Sequence, residues 1–554
     1  VLDGGFNHGG ADGPLFDRYG HDPEVVGACE RVDSPYHSWF LFRDAPGGGP
    51  CAGPSGPGTM GYVGWAGYDS LPVLSKGEEA VRDFVYGADD SIARRWLRAG
   101  AAGWRLDVMP DGSFPKDFWP AFRRAVKETK PDAAIVGELW KRDELLRFIR
   151  GDAADSWMNY RFRDAVIAYL ATPAPGAAED ESLASTFASR ILGIGEDVPP
   201  AAAAMALNLL DSHDTERILW SLTPGASNRS EREEDQANVS IGKARLRLAA
   251  LRQFTLPGAP TVYYGDEIGM TGAGDPDDRR TFPLLEGEGP GGIVTDKSLE
   301  VSWYRHLASL REKPVFREGD LRFLLADDAT SALAFARRAP GSLAIVAVNP
   351  ASQTSRLQIP LRSDRADVTP IRDGIRFRLI ESTVTSAAGI LDLRLEPRSA
   401  VILFAEDGQD LDAPRAPDGL GASVAPDGIV ELLWEPDPDA AAYEVWRSPL
   451  AGGGYELVGT TAEAAYEDRD VASGSTVHYA LRAADAAGNV SPSTADLAVT
   501  AEVPTAAPSV PEPSASPAPG PGGPTSLAPE IVGVVIAGLA AAVLLLMVAR
   551  RRRK

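Results

Sequence analysis

Three carboxylates close apolar, strand-like runs in this chain. They are Asp107 in Gly-Trp-Arg-Leu-Asp-Val (103–108), Glu138 in Ile-Val-Gly-Glu-Leu-Trp (135–140) and Asp214 in Leu-Leu-Asp-Ser-His-Asp-Thr (209–215). A carboxylate ending an apolar strand is costly inside a core. It is tolerated at the C-terminal rim of a parallel barrel, where strand ends open onto a pocket. Three such ends, separated by helical stretches, predict one shared acidic pocket. A pair of carboxyl groups, one ionised and one protonated, is what glycosidic-bond cleavage requires. Arg105 lies two residues before Asp107, so a period of two puts both side chains on one strand face. A guanidinium there holds a nucleophilic carboxylate ionised and oriented. A structural ion pair explains the same spacing, and the two readings are compatible.

The elements that must position these groups are readable in outline. Residues 1–8 read as a strand with its loop, and a Gly/Pro-rich insertion continues to about Ser75, too long for an ordinary connection. Residues 83–99 are helical in character, and Phe118, Phe122 and Val126 recur at helical spacing. Residues 201–211 and 258–265 are expected to supply later strands, and 246–254 and 301–310 the last two helices. From about Pro314 the pattern changes to alternation, as in 343–348 and 401–404, which predicts antiparallel sandwiches.

In this order the motifs resemble the α-amylase superfamily, glycoside hydrolase family 13. Val-Leu-Asp-Gly-Gly-Phe-Asn-His (1–8) is similar to the family's first region, at the end of its third strand. Gly-Trp-Arg-Leu-Asp resembles the fourth strand, Val-Gly-Glu the fifth, Ser-His-Asp the seventh, and Pro-Gly-Ala-Pro-Thr-Val-Tyr-Tyr-Gly-Asp-Glu (257–267) the eighth. Ser34 to Phe40 and Asp275-Pro276-Asp277-Asp278-Arg279 look like the neopullulanase and cyclomaltodextrinase branch. Gly5 departs from the bulkier aliphatic residue usual at its position, and 71–75 follows the usual fifth region only loosely.

The resemblance implies a (β/α)8 TIM barrel over 1–313, with domain B inserted at about 9–75. Strands one and two are missing, so an N-terminally truncated barrel with two open edges is expected. It also implies Asp107 as nucleophile, Glu138 as general acid/base, and Asp214 as the carboxylate that binds sugar hydroxyls and favours a distorted ring. His8 and His213 would hydrogen-bond the sugar, Asp275 and Arg279 would grip the next glucose, and Asp3 would brace the site. Trp140 and Trp39 would offer stacking faces, although core packing is the commoner role for Trp. No cofactor is required by this chemistry. Asn7 is a candidate ligand for a structural calcium, since oxygen ligands suit that ion.

The implied function is retaining hydrolysis of α-glucosidic bonds in starch, pullulan or maltodextrins. Transfer to a sugar acceptor is the alternative, because the same glycosyl-enzyme is intercepted by a sugar in place of water. An inactive surface glycan-binding protein is a third reading. Proteins of that kind lose their carboxylates, whereas all three remain here.

At 554 residues the chain needs several cores. A formal charge of −23 argues against a nucleic-acid partner. The two cysteines, Cys29 and Cys51, fit no metal-ligand pattern and read either as free thiols or as a disulfide. A C-terminal β-sandwich domain is expected over 314–408 and a fibronectin type III-like unit over 413–501. A Pro-rich linker occupies 502–529. Residues 531–549 carry no charge and precede the basic tail 550–554, which predicts a single-pass transmembrane helix. That anchor would place the catalytic part outside the cell, with the lipid bilayer as a partner.

Overall fold

Short runs that are apolar on both faces form parallel strands when crossover helices cover the sheet. The computed structural model describes residues 1–43, 51, 61–171, 182–283, 299–361, 370–372, 374–378 and 383–502, and in it the first half of the chain follows this rule. Strands β1 (Leu2–Gly4), β2 (Gly103–Leu106), β3 (Ala134–Gly137) and β4 (Ser156–Trp157) lie side by side in chain order, all parallel. β5 (Leu207–Leu209) pairs in parallel with β6 (Ala259–Thr261), and a parallel bridge from Met158 to Leu207 joins the two groups into one arc. All six carboxyl ends therefore face the same rim. This is the TIM-barrel-type arrangement that the motifs imply.

Local chemistry explains the spacing of the arc. Gly103, at φ +153°, brings β2 so close to β3 that a Cβ would strike the Ala134 backbone. The helix Phe118–Thr129 buries Phe118, Trp119, Phe122 and Val126 on one face. Phe6, just beyond β1, packs its ring against Trp104 and Phe122 at centroid distances of 5.5 and 5.4 Å.

Two element expectations are corrected. Residues 201–211 are not one strand: Pro200–Met205 is a helix with proline at its first turn, and β5 begins only at Leu207. A run of alanines opened by proline favours helix over strand. The helix expected over 83–99 is broken: Glu79–Arg82 continues as a π-type turn over Asp83–Gly87 and ends at the extended Ala88, and a second helix runs over Ile92–Arg98. Ser91 is extended there (φ −53°, ψ 154°) and interrupts the ladder. The helices expected at 246–254 and 301–310 lie within Gln236–Thr255 and Leu299–Arg311.

The described parts of the insertion fold back on the end of β1 through an antiparallel bridge from His8 to Val73 and a hydrogen bond from the Leu74 N–H to the Asn7 carbonyl (3.0 Å), and a bridge from Phe40 to Leu74 closes the insertion on itself. Cys29 and Cys51 form a disulfide with Cα atoms 5.3 Å apart, which decides between the two readings of the cysteines. Closing a loop of 22 residues stabilises the fold by roughly 3 kcal/mol on a chain-entropy account.

Beyond the helix Pro314–Arg317 every regular element among the described residues is a β-strand. The six-stranded antiparallel sheet runs in the order β12 (Thr383–Thr385), β11 (Arg376–Arg378), β14 (Ser399–Ala405), β9 (Ser342–Asn349), β8 (Ala332–Ala339), β7 (Asp320–Asp327). It shares a core with the pair β10 (Ser355–Pro360) and β13 (Ile390–Leu395), through residues such as Ile345, Leu357, Ile359, Leu391 and Leu403. A three-stranded sheet follows, made of β15 (Gly421–Val424), β16 (Val430–Leu433) and β19 (Ala465–Asp468). Its companion has four strands in the order β18 (Glu456–Thr461), β17 (Ala442–Ser448), β20 (Thr476–Ala484), β21 (Leu497–Thr500). Between them sit Trp434, Tyr443, Val445, Tyr479 and Leu481.

The membrane-anchored, extracellular localisation is corrected. Among the described residues no helix is long and apolar enough to cross a membrane. Gln236–Thr255 has 20 residues, enough to span, but it carries Lys243, Arg245, Arg247 and Arg252, each costly in hydrocarbon. The bilayer partner is withdrawn with it. The stretches 531–549 and 550–554, and the linker from 503 onward, lie outside the described residues.

Candidate active site

The first cluster forms where β1, β2 and β3 end. Backbone hydrogen bonds carry the ladder one residue past the strands, from Asp107 N–H to the Gly4 carbonyl (3.3 Å) and from Glu138 N–H to the Leu106 carbonyl (3.1 Å). Both carboxylates are thereby held at the rim by the sheet. Arg105 reaches across all three strand ends. Its Nη1 donates to Asp3 Oδ1 at 3.0 Å and to Asp107 Oδ1 at 2.5 Å. Its Nη2 lies 3.1 Å from Glu138 Oε2, as an ion contact without hydrogen-bond alignment. Burial opposes the Arg105 charge, but Glu138, Asp3 and Asp107 outweigh it and raise its pKa, so the guanidinium stays ionised.

Glu138 is itself fixed at both oxygens. Oε2 accepts the Val108 N–H at 2.7 Å, and Oε1 accepts the Trp140 indole N–H at 3.1 Å. Val108 holds φ +49°, a conformation that costs a β-branched residue about 1–3 kcal/mol. The strain falls on the residue that follows Asp107 and aims its N–H at Glu138. Burial pushes the Asp107 carboxyl above its ordinary value; Arg105 pulls it back, and Glu138 pushes it up again.

The second cluster carries the other expected residues. His213 Nε2 lies 3.2 Å from Asp214 Oδ2, and Arg279 Nη2 lies 3.8 Å from Asp214 Oδ1. Arg279 Nε pairs with Asp275 Oδ1 at 3.1 Å and donates to the His213 carbonyl at 2.9 Å. His213, Asp214, Asp275 and Arg279 are thus one group, built from the loops after β5 and β6. Behind it, Asp211 accepts the Ile218 N–H at 2.7 Å, and burial pushes its carboxyl up to about 6. Arg217 sits fully buried between the Tyr263 and Tyr264 rings.

A third group lies at the end of β1. The His8 ring stacks on Trp65 at 5.2 Å. Among the described residues no hydrogen bond or ion pair ties His8 to Asp107 or Glu138. Burial lowers the His8 pKa, Lys76 lowers it further and Asp111 opposes them, so the ring is neutral near neutral pH. Trp39 is half-buried and packs against Tyr36 and Phe84, at centroid distances of 5.1 Å each. Trp140 is 37% exposed and has one face covered by Tyr160.

Asn7 does not fit calcium. Both its carbonyl oxygen (3.0 Å) and its Oδ1 (2.6 Å) accept hydrogen bonds from Lys76 Nζ. Lys76 is 1% exposed, its ammonium lies 4.5 Å from the centre of the Phe114 ring, and burial lowers its pKa to about 8 against the pull of Asp111. A cation bonded to the chain already occupies the acceptor side of Asn7. We expect a chelator to leave the melting temperature unchanged, and Lys76→Met to cost about 2 kcal/mol through the lost charge-assisted bonds. Thermal melts with and without EGTA check both; a chelator-dependent melt would contradict the assignment.

The sequence reading missed Lys76, Trp65, Tyr160 and Ser212. Tyr160 follows the two-residue strand β4, too short for a periodic signal. Lys76 meets Asn7 across 69 residues, and no local pattern announces such a contact.

The family model of the α-amylase catalytic domain matches residues 1–286. The amylopullulanase of Thermoanaerobacterium saccharolyticum is 32% identical over 526 residues, covering 89% of this chain and 38% of that protein. Neopullulanase 2 of Thermoactinomyces vulgaris is 34% identical over 364 residues, 65% of this chain and 53% of its own length. The chain therefore spans well under two thirds of these relatives. Among solved structures, the debranching enzyme from Nostoc punctiforme superposes with a TM-score of 0.54 at 28% identity, covering 73% of this chain and 75% of that one.

Proposed function

The chain belongs to the α-amylase catalytic-domain family, and from that premise we propose that it hydrolyses α-glucosidic bonds with retention of configuration. The observation that carries the reading is Arg105, whose single guanidinium contacts both Asp107 and Glu138. Retaining glycosidases need two carboxyl groups about 5–5.5 Å apart, and one guanidinium touching both keeps them near each other.

In this reading Asp107 attacks the anomeric carbon while Glu138, protonated, gives its proton to the departing oxygen. Water then gives a proton to the ionised Glu138 as its oxygen bonds to the anomeric carbon, and the bond to Asp107 breaks, restoring both carboxyl groups. Asp214, steadied by His213 and Arg279, holds sugar hydroxyls as the ring flattens. The names amylopullulanase and neopullulanase among the relatives support pullulan and starch-type α-glucan as the substrate class. The cation at Asn7 being Lys76 supports turnover without added calcium. The six-stranded sheet packed on the β10–β13 pair supports a C-terminal sandwich over 314–408, and the three- and four-stranded sheets support a fibronectin type III-like module over 413–501.

Rates on maltooligosaccharides and pullulan test the reading, and pH adds a sharper check. Asp107 must be ionised to attack, and its pKa lies above the ordinary 3.8. Activity is therefore lost, as pH falls, at a higher pH than for an ordinary aspartate. Arg105 holds that pKa down, so Arg105→Gln should move the acid limb of kcat/KM further up. An acid limb that stays put or moves down would contradict the role of Arg105.

A further inference from the structure

We propose that Tyr160 is a positioning residue that couples Glu138 to the loop bearing Asp214, a role that rests on the glycosidase reading above. An unbroken chain of contacts joins the two sites. Glu138 Oε1 accepts from Trp140 Nε1 at 3.1 Å. The Trp140 indole lies flat on the Tyr160 ring, with centroids 3.4 Å apart and planes 8° from parallel. Tyr160 Oη and Ser212 Oγ are 3.1 Å apart, and Ser212 Oγ accepts the Asp214 N–H at 3.1 Å.

Tyr160 is a rigid member of this path. It is 1% exposed and opens the helix Tyr160–Leu170. Asn159 caps that helix by accepting the Phe162 N–H at 3.2 Å. Asn159 also donates to Asn208 Oδ1 at 3.0 Å, and its own N–H bonds the Leu207 carbonyl at 2.9 Å. The ring is thus tied to β5, the strand that leads into Ser212 and Asp214. Burial raises the phenol pKa, so the hydroxyl keeps its proton through the working range. Trp140, by contrast, sits half out of the protein, where an indole with no ring beneath it has other rotamers open.

The path gives Tyr160 two separable tasks. Its ring fixes Trp140, and through it Glu138 Oε1. Its hydroxyl fixes Ser212, and through it the backbone of Asp214. Small displacements at such positions cost rate because reacting groups must stay near their attack geometry.

Tyr160→Phe and Tyr160→Leu in the full chain separate the tasks, with maltotetraose and α-glucosyl fluoride as substrates. Tyr160→Phe keeps the ring and should lower kcat/KM about two- to tenfold on both substrates alike, the size of one hydrogen bond. Tyr160→Leu releases Trp140 and should lower the maltotetraose rate at least about tenfold more than the fluoride rate, because fluoride needs no proton to leave. A merely structural role would lower both rates in equal proportion in both variants. Crystal structures supply a readout independent of activity: in Tyr160→Leu the Trp140 N–H leaves Glu138, and in Tyr160→Phe the Ser212–Asp214 backbone moves. A wild-type chain that turns over neither substrate counts against the glycosidase reading, and the crystal structures then decide the Tyr160 role. Should Tyr160→Leu fail to fold, the Tyr160→Phe crystal structure decides it: a displaced Ser212–Asp214 backbone upholds the coupling, and an unmoved one overturns it. Unchanged Trp140 and Ser212 contacts, or unchanged rates beside an active wild type, overturn the proposal.

Discussion

Asp107→Asn should lower kcat on maltooligosaccharides by about 10⁴-fold or more, the scale seen when a covalent nucleophile is removed. The amide has the carboxylate's shape, so β2 and its rim keep their geometry. Arg105 keeps Asp3 and Glu138 as partners. Stability should move in the opposite direction to activity. An aspartate whose folded pKa is raised above its ordinary value loses stabilisation as pH rises through that pKa. At neutral pH the ionised Asp107 therefore opposes folding, and the neutral amide removes that opposition. Melting curves at pH 7 should show Asp107→Asn at least as stable as wild type. Turnover within tenfold of wild type would take Asp107 out of the nucleophile's role.

Glu138→Gln should lower turnover of natural glucans by about 10³-fold, the usual share of a general acid. Its effect on the first step with α-glucosyl fluoride should be far smaller, because fluoride departs without a proton. Gln keeps one oxygen to accept from Val108 or Trp140 but offers an NH2 at the other position. One of the two bonds at Glu138 (2.7 and 3.1 Å) is then lost, which sets a floor of a few-fold on the fluoride rate. Equal losses on both substrates would show that Glu138 does more for site geometry than for proton transfer. External azide offers a second readout: it should rescue the deglycosylation step, where the missing base no longer activates water.

The parts of this account that were legible in the sequence are those with short-range patterns. Asp107 and Glu138 each close an apolar run, so strand geometry brings both to the rim, whereas Asp214 lies five residues beyond the end of β5, on the loop that carries the second cluster. The pairing of Arg105 with Asp107 followed from a period of two, and the observed bond runs between those side chains. The further reach of Arg105 to Asp3 joins residues 102 apart, and strand neighbours are not written in any local pattern. The run 201–211 misled because alanine is apolar enough to look like a buried strand yet is the best helix former. Asn7 looked like a calcium ligand because the residue type permits it, while Lys76 becomes its partner only when the insertion folds back. Trp140 was expected to offer a face to sugar, and Tyr160 covers one side of it. That stack depends on β4, whose two residues leave no signature. At the C-terminus, 531–549 read as a membrane span from hydropathy, and that stretch lies outside the described residues, among which no helix is long and apolar enough to cross a membrane.

Trapping the glycosyl-enzyme would locate the nucleophile on the chain. The Glu138→Gln chain, incubated with 5-fluoro-α-glucosyl fluoride, should accumulate a glycosyl-enzyme because deglycosylation lacks its base. Proteolysis and mass spectrometry should then find one fluoroglucosyl group on the peptide containing Asp107, bonded to that residue. A label on any other residue, or a chain that releases product of inverted configuration and never carries a label, would contradict the account.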